Sequence, residues 1–191
     1  EIKTIEKLIK KILKINIKKQ LIIVDDGSSD GTELILKKYK NRIDKLIFHK
    51  KNLGKGAAIK SGQKYVSGKY IGIQDADLEY DPRDLKKIVN EMDKRDLQVM
   101  YGSRVLKKNK FKNTQNFTHV VRIWGNIFLT KASNLLNKQK LTDAHTCYKV
   151  FDSKIFKKIK LKEKGFSFCP EITTKISMMN LNIEEFPINY I

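Results

Sequence analysis

In Leu21-Ile22-Ile23-Val24-Asp25-Asp26-Gly27-Ser28-Ser29-Asp30-Gly31-Thr32, four apolar residues run straight into two carboxylates and a Gly/Ser turn. An uninterrupted apolar run of this length fits a strand buried on both faces, and Asp, Ser and Gly turn a chain and open a helix. The spacing predicts a strand over 21–24 and a helix over 31–39. The alternation then repeats: a strand at 46–49, a Gly-rich turn at 52–56 and a helix over 57–66, followed by a strand at 70–74, an acidic loop and a helix over 82–94. Strands alternating with helices of this length imply right-handed crossovers, hence an α/β fold with a mostly parallel central sheet and helices on both faces.

Upstream, Ile5, Leu8, Ile9, Ile12 and Leu13 recur at helical spacing after Thr4. Downstream, the pattern predicts a strand over 97–101, a long helix over 120–136 carrying Val121, Trp124, Phe128, Leu135 and Leu136, and strands at 148–151 and 183–187 around a helix over 171–179. The polar, lysine-rich stretch 107–118 reads as a mobile loop.

The length, 191 residues, suits one domain over 1–191. Lys and Arg number 40 against 21 Asp and Glu, a formal charge of +19, yet 40% of residues are hydrophobic, which excludes disorder driven by low hydrophobicity. Lysines occupy nearly every segment, with no RNA-binding aromatic signature and no zinc-finger spacing, so no nucleic-acid partner is expected. An anionic membrane surface, worth about 1 kcal/mol per basic residue, fits the charge better. Cys147 and Cys169 stand far apart in no metal-ligand spacing, which argues against a disulfide framework and structural zinc and for a reducing compartment. No run approaches the roughly 18 apolar residues of a membrane span, and no signal peptide is present. Opening at Glu1 before a helix pattern and closing at Ile191 in an apolar segment, the chain reads as a fragment trimmed at both ends.

In open parallel sheets, ligands sit beyond the carboxyl ends of strands. Two acidic clusters occupy such places. Asp25 and Asp26 follow the first strand, where they either cap a turn or accept hydrogen bonds from a nucleobase or ribose. In Gln74-Asp75-Ala76-Asp77-Leu78-Glu79, a strand runs into two carboxylates one residue apart. Mg²⁺ or Mn²⁺ takes such oxygen ligands together with substrate phosphates, and a cation relieves the like-charge repulsion. In Asn52-Leu53-Gly54-Lys55-Gly56, two glycines and Lys55 stand at a strand-to-helix junction that favours phosphate, or equally forms a capping turn.

The strings LIIVDDGSSDGT, NLGKGAAIKSG, QDADLEYDP, YGSR, LTDAHTCYKVF, GFSFCPEITTKI and EEFPINYI, in this order, resemble the family 2 glycosyltransferases. Within that family they look most like the polyprenyl-phosphate sugar transferases of the dolichyl-phosphate mannose synthase type. The resemblance covers essentially the whole chain. It implies a GT-A fold whose first strand precedes Glu1, and transfer of one sugar, with inversion, from a nucleotide-sugar of GDP-mannose or UDP-glucose type to a polyprenyl or dolichyl phosphate. By position it implies Glu1, Asp25, Asp26, Lys55, Asp75 and Asp77 at the nucleotide-sugar, and Asp75, Asp77 and Glu79 at the metal, Glu79 standing where Gln is common. It places Arg104, Arg122 and Asn126 at the acceptor phosphate, Asn126 where Ser is usual. Glu1 would end a Pro-x-Tyr-Asn-Glu motif, and an Arg and Ser-Lys segment would follow Ile191.

A lipid phosphate has a second pKa near 6 and is largely dianionic at neutral pH, so it needs no general base. It needs cations: a metal on the leaving diphosphate and arginines that place the attacking phosphate. Asp77, Arg104 and Arg122 are therefore the catalytic set. Arginine is only 5 of the 40 basic residues, which makes a bidentate phosphate binder at 104 and 122 informative. His119 and His145 are weaker phosphate candidates, Cys147 reads as a packed residue, and Glu171 as a helix-terminal charge or an acceptor-site group. Trp124, Phe128 and Phe166 are expected in the core, although an apolar wall beside Arg122 would suit a polyprenyl chain. The expected location is the cytoplasmic face of a membrane, with any anchor outside this segment. The competitors are a glycan-extending family 2 enzyme with Asp143 or Glu171 as base, a nucleotidyltransferase, disfavoured by the missing Gly-rich phosphate loop, and a non-catalytic basic binding module.

Overall fold

The computed structural model describes residues 1–106 and 117–190, and over 117–123 the backbone alone. Helix α1 (Ile5–Leu13) leads to strand β1 (Ile22–Asp25), α2 (Thr32–Lys38), a 3-10 turn at Lys40–Arg42, and β2 (Lys45–Phe48). Then come α3 (Lys55–Gln63), β3 (Tyr70–Gly72), α4 (Pro82–Lys94) and β4 (Val99–Ser103). The chain continues through α5 (Phe117–Asn137), β5 (Lys149–Asp152), α6 (Ser153–Lys158), α7 (Phe168–Met178) and β6 (Glu184–Pro187).

The bounds of α4 match the sequence pattern because its start is encoded locally: Pro82 opens the helix and Asp81 Oδ1 accepts from the Arg83 N–H at 3.0 Å. Helix α6 has no counterpart in that pattern, since six residues are too few to show a period. Its start is nonetheless capped, Asp152 accepting from the Lys154 N–H at 2.7 Å. The expected mobile loop falls almost entirely outside the described residues.

Alternation of strands and helices holds, but the sheet is mixed rather than mostly parallel. β1 and β2 form a parallel pair, with Ile22 opposite Lys45 and Asp25 opposite Phe48. The larger sheet has the order β3-β5-β4-β6, in which β4 and β6 run parallel while β5 is antiparallel to both its neighbours. The crossover argument fails at β5 because α5 is not a layer covering the sheet. It packs against α7, and the chain then doubles back through 138–148 to insert β5 between β3 and β4.

Helices lie on both faces of this sheet. Tyr101 of β4 and Phe151 of β5 share one face, Tyr101 bonding Thr173 of α7 at 3.1 Å and Phe151 stacking on Phe156 of α6 with centroids 5.3 Å apart. Gly72 shares the other face with Val150, and a Cβ there would stand 3.0 Å from Leu85 of α4. Ile88, Met92, Val150, Phe151 and Ile172 are fully buried in this main core, while Ile5, Ile9 and Leu36 form a smaller cluster under α1 and α2. The arrangement sends the carboxyl ends of β3, β4 and β6, and the amino end of β5, to one edge of the sheet.

Candidate active site

Asp75, Asp77 and Glu79 follow β3 at that edge. Lys55 Nζ donates to Asp75 Oδ2 at 2.6 Å. Burial works against the Lys55 ammonium, and Cys147 and the hydrogen-bonded Asp75 carboxylate together outweigh it, so the pKa of Lys55 lies above its ordinary value. Asp77 Oδ1 accepts from the Glu79 N–H at 3.0 Å. Burial, then repulsion from Glu79 and Asp75, holds the Asp77 carboxyl above the usual carboxylate value, with the Glu1 charge adding to the effect. Between them Leu78 sits in the left-handed region at φ 67°, a conformation that costs a non-glycine residue about 1 kcal/mol or more. Glu79 Oε2 accepts from the Tyr190 hydroxyl at 2.9 Å. Among the described residues no three His, Cys, Asp or Glu side chains form a ready metal cluster. The donor set nevertheless fits a hard divalent cation, since two crowded carboxylates beside substrate phosphates are what Mg²⁺ and Mn²⁺ take, and a cation would relieve the charge that raises Asp77.

Arg104 follows β4 at the same edge. Its Nε and Nη2 donate to Asp143 Oδ2 and Oδ1 at 2.6 and 2.8 Å, a two-pronged contact, and its backbone N–H reaches Oδ2 at 3.2 Å. Asp143 is fully buried, and Asn126 of α5 donates to its Oδ1 at 3.2 Å. Burial opposes ionisation of Asp143, but Arg104 outweighs it and the pKa falls below the ordinary carboxylate value, while that of Arg104 rises. Glu185 of β6 holds the same segment by accepting from the N–H groups of Thr142 and Asp143 at 2.7 and 2.9 Å. The ring of Tyr190 lies 5.2 Å from the Arg104 guanidinium, so Tyr190 joins the Glu79 side of the edge to the Arg104 side. Sequence reasoning assigned no role to Tyr190 or Glu185, although both lie in the string EEFPINYI, because their partners Glu79, Arg104, Thr142 and Asp143 come from distant parts of the chain.

Asp25 and Asp26 part company. Asp25 is buried at the end of β1 and accepts from the Ser28 N–H at 2.9 Å. Asp26 faces His49 Nδ1 at 2.6 Å and accepts from the Leu53 and Gly54 N–H groups at 3.0 and 2.6 Å. Burial raises its pKa, but these contacts prevail and lower it. Asp26 therefore staples the β1 turn to the Gly-rich turn that precedes α3. A Cβ on Gly56 would stand 2.2 Å from the Glu163 carbonyl oxygen, and the Ala57 N–H donates to the Lys164 carbonyl at 3.0 Å. The glycines are there so that the turn can lie against 163–165. Glu1 lies at the start of the chain, its carboxylate accepting from Thr4 Oγ1 at 3.4 Å.

Two further expectations change. Trp124, Phe128 and Phe166, expected in the core, are 68%, 71% and 81% exposed. Glu171 accepts from Lys175 at 2.5 Å and from the Lys162 and Glu163 N–H groups at 2.7 and 3.0 Å, which makes it an anchor for the 160–165 segment. Cys147 is buried, and burial raises its thiol pKa well above the ordinary value, as a packed residue requires. The side chains of His119 and Arg122 lie outside the described residues.

The sequence profile of glycosyl transferase family 2 matches residues 1–160. The chain belongs to that family. Among curated relatives, the UDP-N-acetylglucosamine--dolichyl-phosphate N-acetylglucosaminyltransferase of Methanococcus voltae is 30% identical over 190 residues, covering 90% of this chain and 74% of that protein. Dodecaprenyl-phosphate galacturonate synthase of Rhizobium johnstonii is 29% identical over 155 residues, covering 79% of this chain and 43% of that protein, so the chain spans less than half of that relative's length. Among solved structures, the mannosyltransferase PcManGT from Pyrobaculum calidifontis, in complex with GDP-Man and Mn²⁺, superposes with a TM-score of 0.66 at 19% identity, over 98% of this chain and 52% of that one. Glucosyl-3-phosphoglycerate synthase from Mycobacterium tuberculosis, with Mn²⁺, UDP and glucosyl-3-phosphoglycerate bound, gives 0.72 at 15% identity, over 98% and 66%. The fold of this family 2 glycosyltransferase domain is GT-A.

Proposed function

We propose that this domain transfers one sugar, with inversion, from a nucleotide-sugar to a polyprenyl or dolichyl phosphate at the cytoplasmic face of a membrane, using Mg²⁺ or Mn²⁺. The observation that carries the reading is the double character of α5. Its inward stripe is polar: Asn126 bonds Asp143, Thr130 accepts from the Ala144 N–H at 3.2 Å, and Asn134 exchanges two bonds with Leu141. Its outward stripe is apolar: Trp124, Phe128, Leu135 and Leu136 face solvent, Leu135 at 83% exposure, with the exposed Lys131 among them and the exposed Lys138 just past the helix end. A soluble surface helix has these faces the other way round. A polyprenyl phosphate matches both halves, its tail and the anionic bilayer suiting the outer face and its phosphate the Arg104 end.

Two of the five N–H donors of Arg104 go to Asp143, which orients the guanidinium and leaves others for a phosphate, with Arg122 of α5 as the second cation. Asp75 and Asp77 would hold the divalent ion, which when bound withdraws charge from the leaving diphosphate. In this reading Lys55 beside Asp75 adds a positive charge on the donor side, and Asp25 is the residue assigned to the base or ribose. A glycan-extending enzyme would need a free carboxylate base. Asp143 and Glu171 are each ion-paired and held below the ordinary carboxylate pKa, which disfavours that chemistry.

Among the described residues no helix is long and apolar enough to cross a membrane. The test incubates the full-length protein with polyprenyl phosphate in detergent, Mg²⁺ or Mn²⁺, and mixed UDP- and GDP-sugars, and weighs the lipid product by mass spectrometry, with Asp77→Ala beside it. A metal-dependent lipid-phosphate sugar that vanishes in the variant supports the proposal and names the donor. Sugar found on an added glycan, or no transfer at all, removes it.

A further inference from the structure

Lys149 is the first residue of β5, and its whole side chain is buried. No carboxylate among the described residues pairs with it. Its Nζ instead donates to the carbonyl oxygens of Ala144 and Thr146 at 2.8 and 2.9 Å and lies 4.0 Å from the centroid of the Tyr101 ring. An ammonium has three N–H donors, and two carbonyls with one aromatic face account for them. Both carbonyls belong to the segment that leaves Asp143, the residue that clamps Arg104. The amide side of the segment is tied from α5 and β6, through Thr130 and Glu185, while its two carbonyls depend on Lys149. The same segment keeps the Thr146 hydroxyl buried without a hydrogen-bond partner among the described residues, so its conformation is imposed by its surroundings.

We propose that Lys149 is a positioning residue for the acceptor arginine: its buried ammonium locks the segment after Asp143 and thereby sets the Asp143 carboxylate that orients Arg104. The inference rests on the lipid-phosphate reading for what Arg104 binds, and on the geometry alone for the lock. Removing the ammonium leaves two buried carbonyls without donors, and the segment must open or admit water. The titratable and charged groups around Lys149 are Asp143, His145 and Cys147 on its own segment, Tyr101 from β4, Cys169 from α7 and Lys55 from α3. Burial pulls the Lys149 pKa down to about 8, against weaker support from Cys169 and Asp143. Above that pH the amine keeps only uncharged, weaker hydrogen bonds. The sign for stability is opposite: between about 8 and the ordinary 10.5 the unfolded chain binds more protons, so global stability from this group rises with pH. Loss of activity in that window is therefore not unfolding driven by Lys149.

The test compares full-length wild type, Lys149→Met and the exposed-site control Lys64→Met by hydrogen exchange and by kinetics. In Lys149→Met, amides over 142–147 are expected to exchange at least about tenfold faster while those of β4 keep their protection, whereas Lys64→Met matches wild type. With activity, the acceptor kcat/KM is expected to fall at least about tenfold with the donor KM within about twofold, and the wild-type acceptor kcat/KM to decline above pH 8 in a limb that Lys149→Met lacks. Unchanged exchange over 142–147, or equal loss on the donor and acceptor sides, overturns the proposal. If Lys149→Met does not fold, Lys149→Gln and the wild-type pH profile decide, and a flat acceptor profile from pH 7 to 9.5 overturns it. If wild type makes no lipid product, the function proposed above has failed, and the exchange experiment still decides the lock.

Discussion

Replacing Asp143 by Asn tests the Arg104 clamp with the least change in shape. The amide loses one of the two oxygens that Arg104 reaches at 2.6 and 2.8 Å and turns an NH₂ group toward N–H donors. Removing one partner of a buried pair costs about 3–5 kcal/mol. The Arg104 side chain retains 23% exposure and can recover part of its hydration, which brings the cost below that range, to about 2–3 kcal/mol. For a domain of this size 1 kcal/mol moves Tm by roughly 2–4 °C, giving a drop on the order of 5–10 °C at pH 7. The assay is thermal unfolding by calorimetry of wild type, Asp143→Asn, Arg104→Gln and the double variant. The pair should show a coupling near 2 kcal/mol, because the two singles each strand a buried partner and the double strands neither. The pH dependence has a definite sign. Asp143 has a folded pKa below its unfolded value, so its contribution is present above the ordinary carboxylate value of 3.8 and is lost as pH falls through the folded value. The wild-type advantage over Asp143→Asn should therefore disappear in acid. A coupling under about 0.5 kcal/mol, or an advantage that grows rather than shrinks as pH falls below 3.8, would refute the clamp.

Asp77→Asn should lower transfer by about a hundredfold or more while leaving Tm unchanged or slightly raised, since it removes a crowded charge; mass spectrometry of the lipid product and calorimetry read the two effects. Changing Trp124, Phe128, Leu135 and Leu136 together to Ser should weaken sedimentation with anionic vesicles by roughly a hundredfold without a loss of fold, as these side chains touch solvent in the isolated domain. Unchanged binding would detach α5 from the membrane. Glu171→Gln should keep kcat within about threefold and lower stability by about 1–2 kcal/mol, through its bonds to Lys175 and the 162–163 amides. A collapse of kcat with stability intact would instead favour the glycan-extending mechanism.

What the sequence determined by itself is what depends on neighbours in the chain. Strands that end in carboxylates, the Pro82 helix start and the ordered motifs of a family 2 glycosyltransferase are local patterns, and they located Asp75, Asp77 and Arg104 at strand ends where the fold places them. Local patterns also predicted that residues 120–136 form a helix with an apolar side, but a period of 3.6 says only that such a side exists, not whether it meets the core or the solvent. The tertiary structure decided that it points outward. It likewise decided what each charged group does. Asp143 lies 39 residues from Arg104 and Tyr190 lies 111 residues from Glu79, so their pairing depends on how β4, β5 and β6 assemble at one edge. The sequence did not show that Asp26 bonds the Gly-rich turn 27 and 28 residues away, nor that Lys149, one lysine among many, is a buried cation. A charge in a sequence has no partner and no solvent shell until the fold supplies or removes them, and that is why chemistry at strand ends was legible while the network orienting it was not.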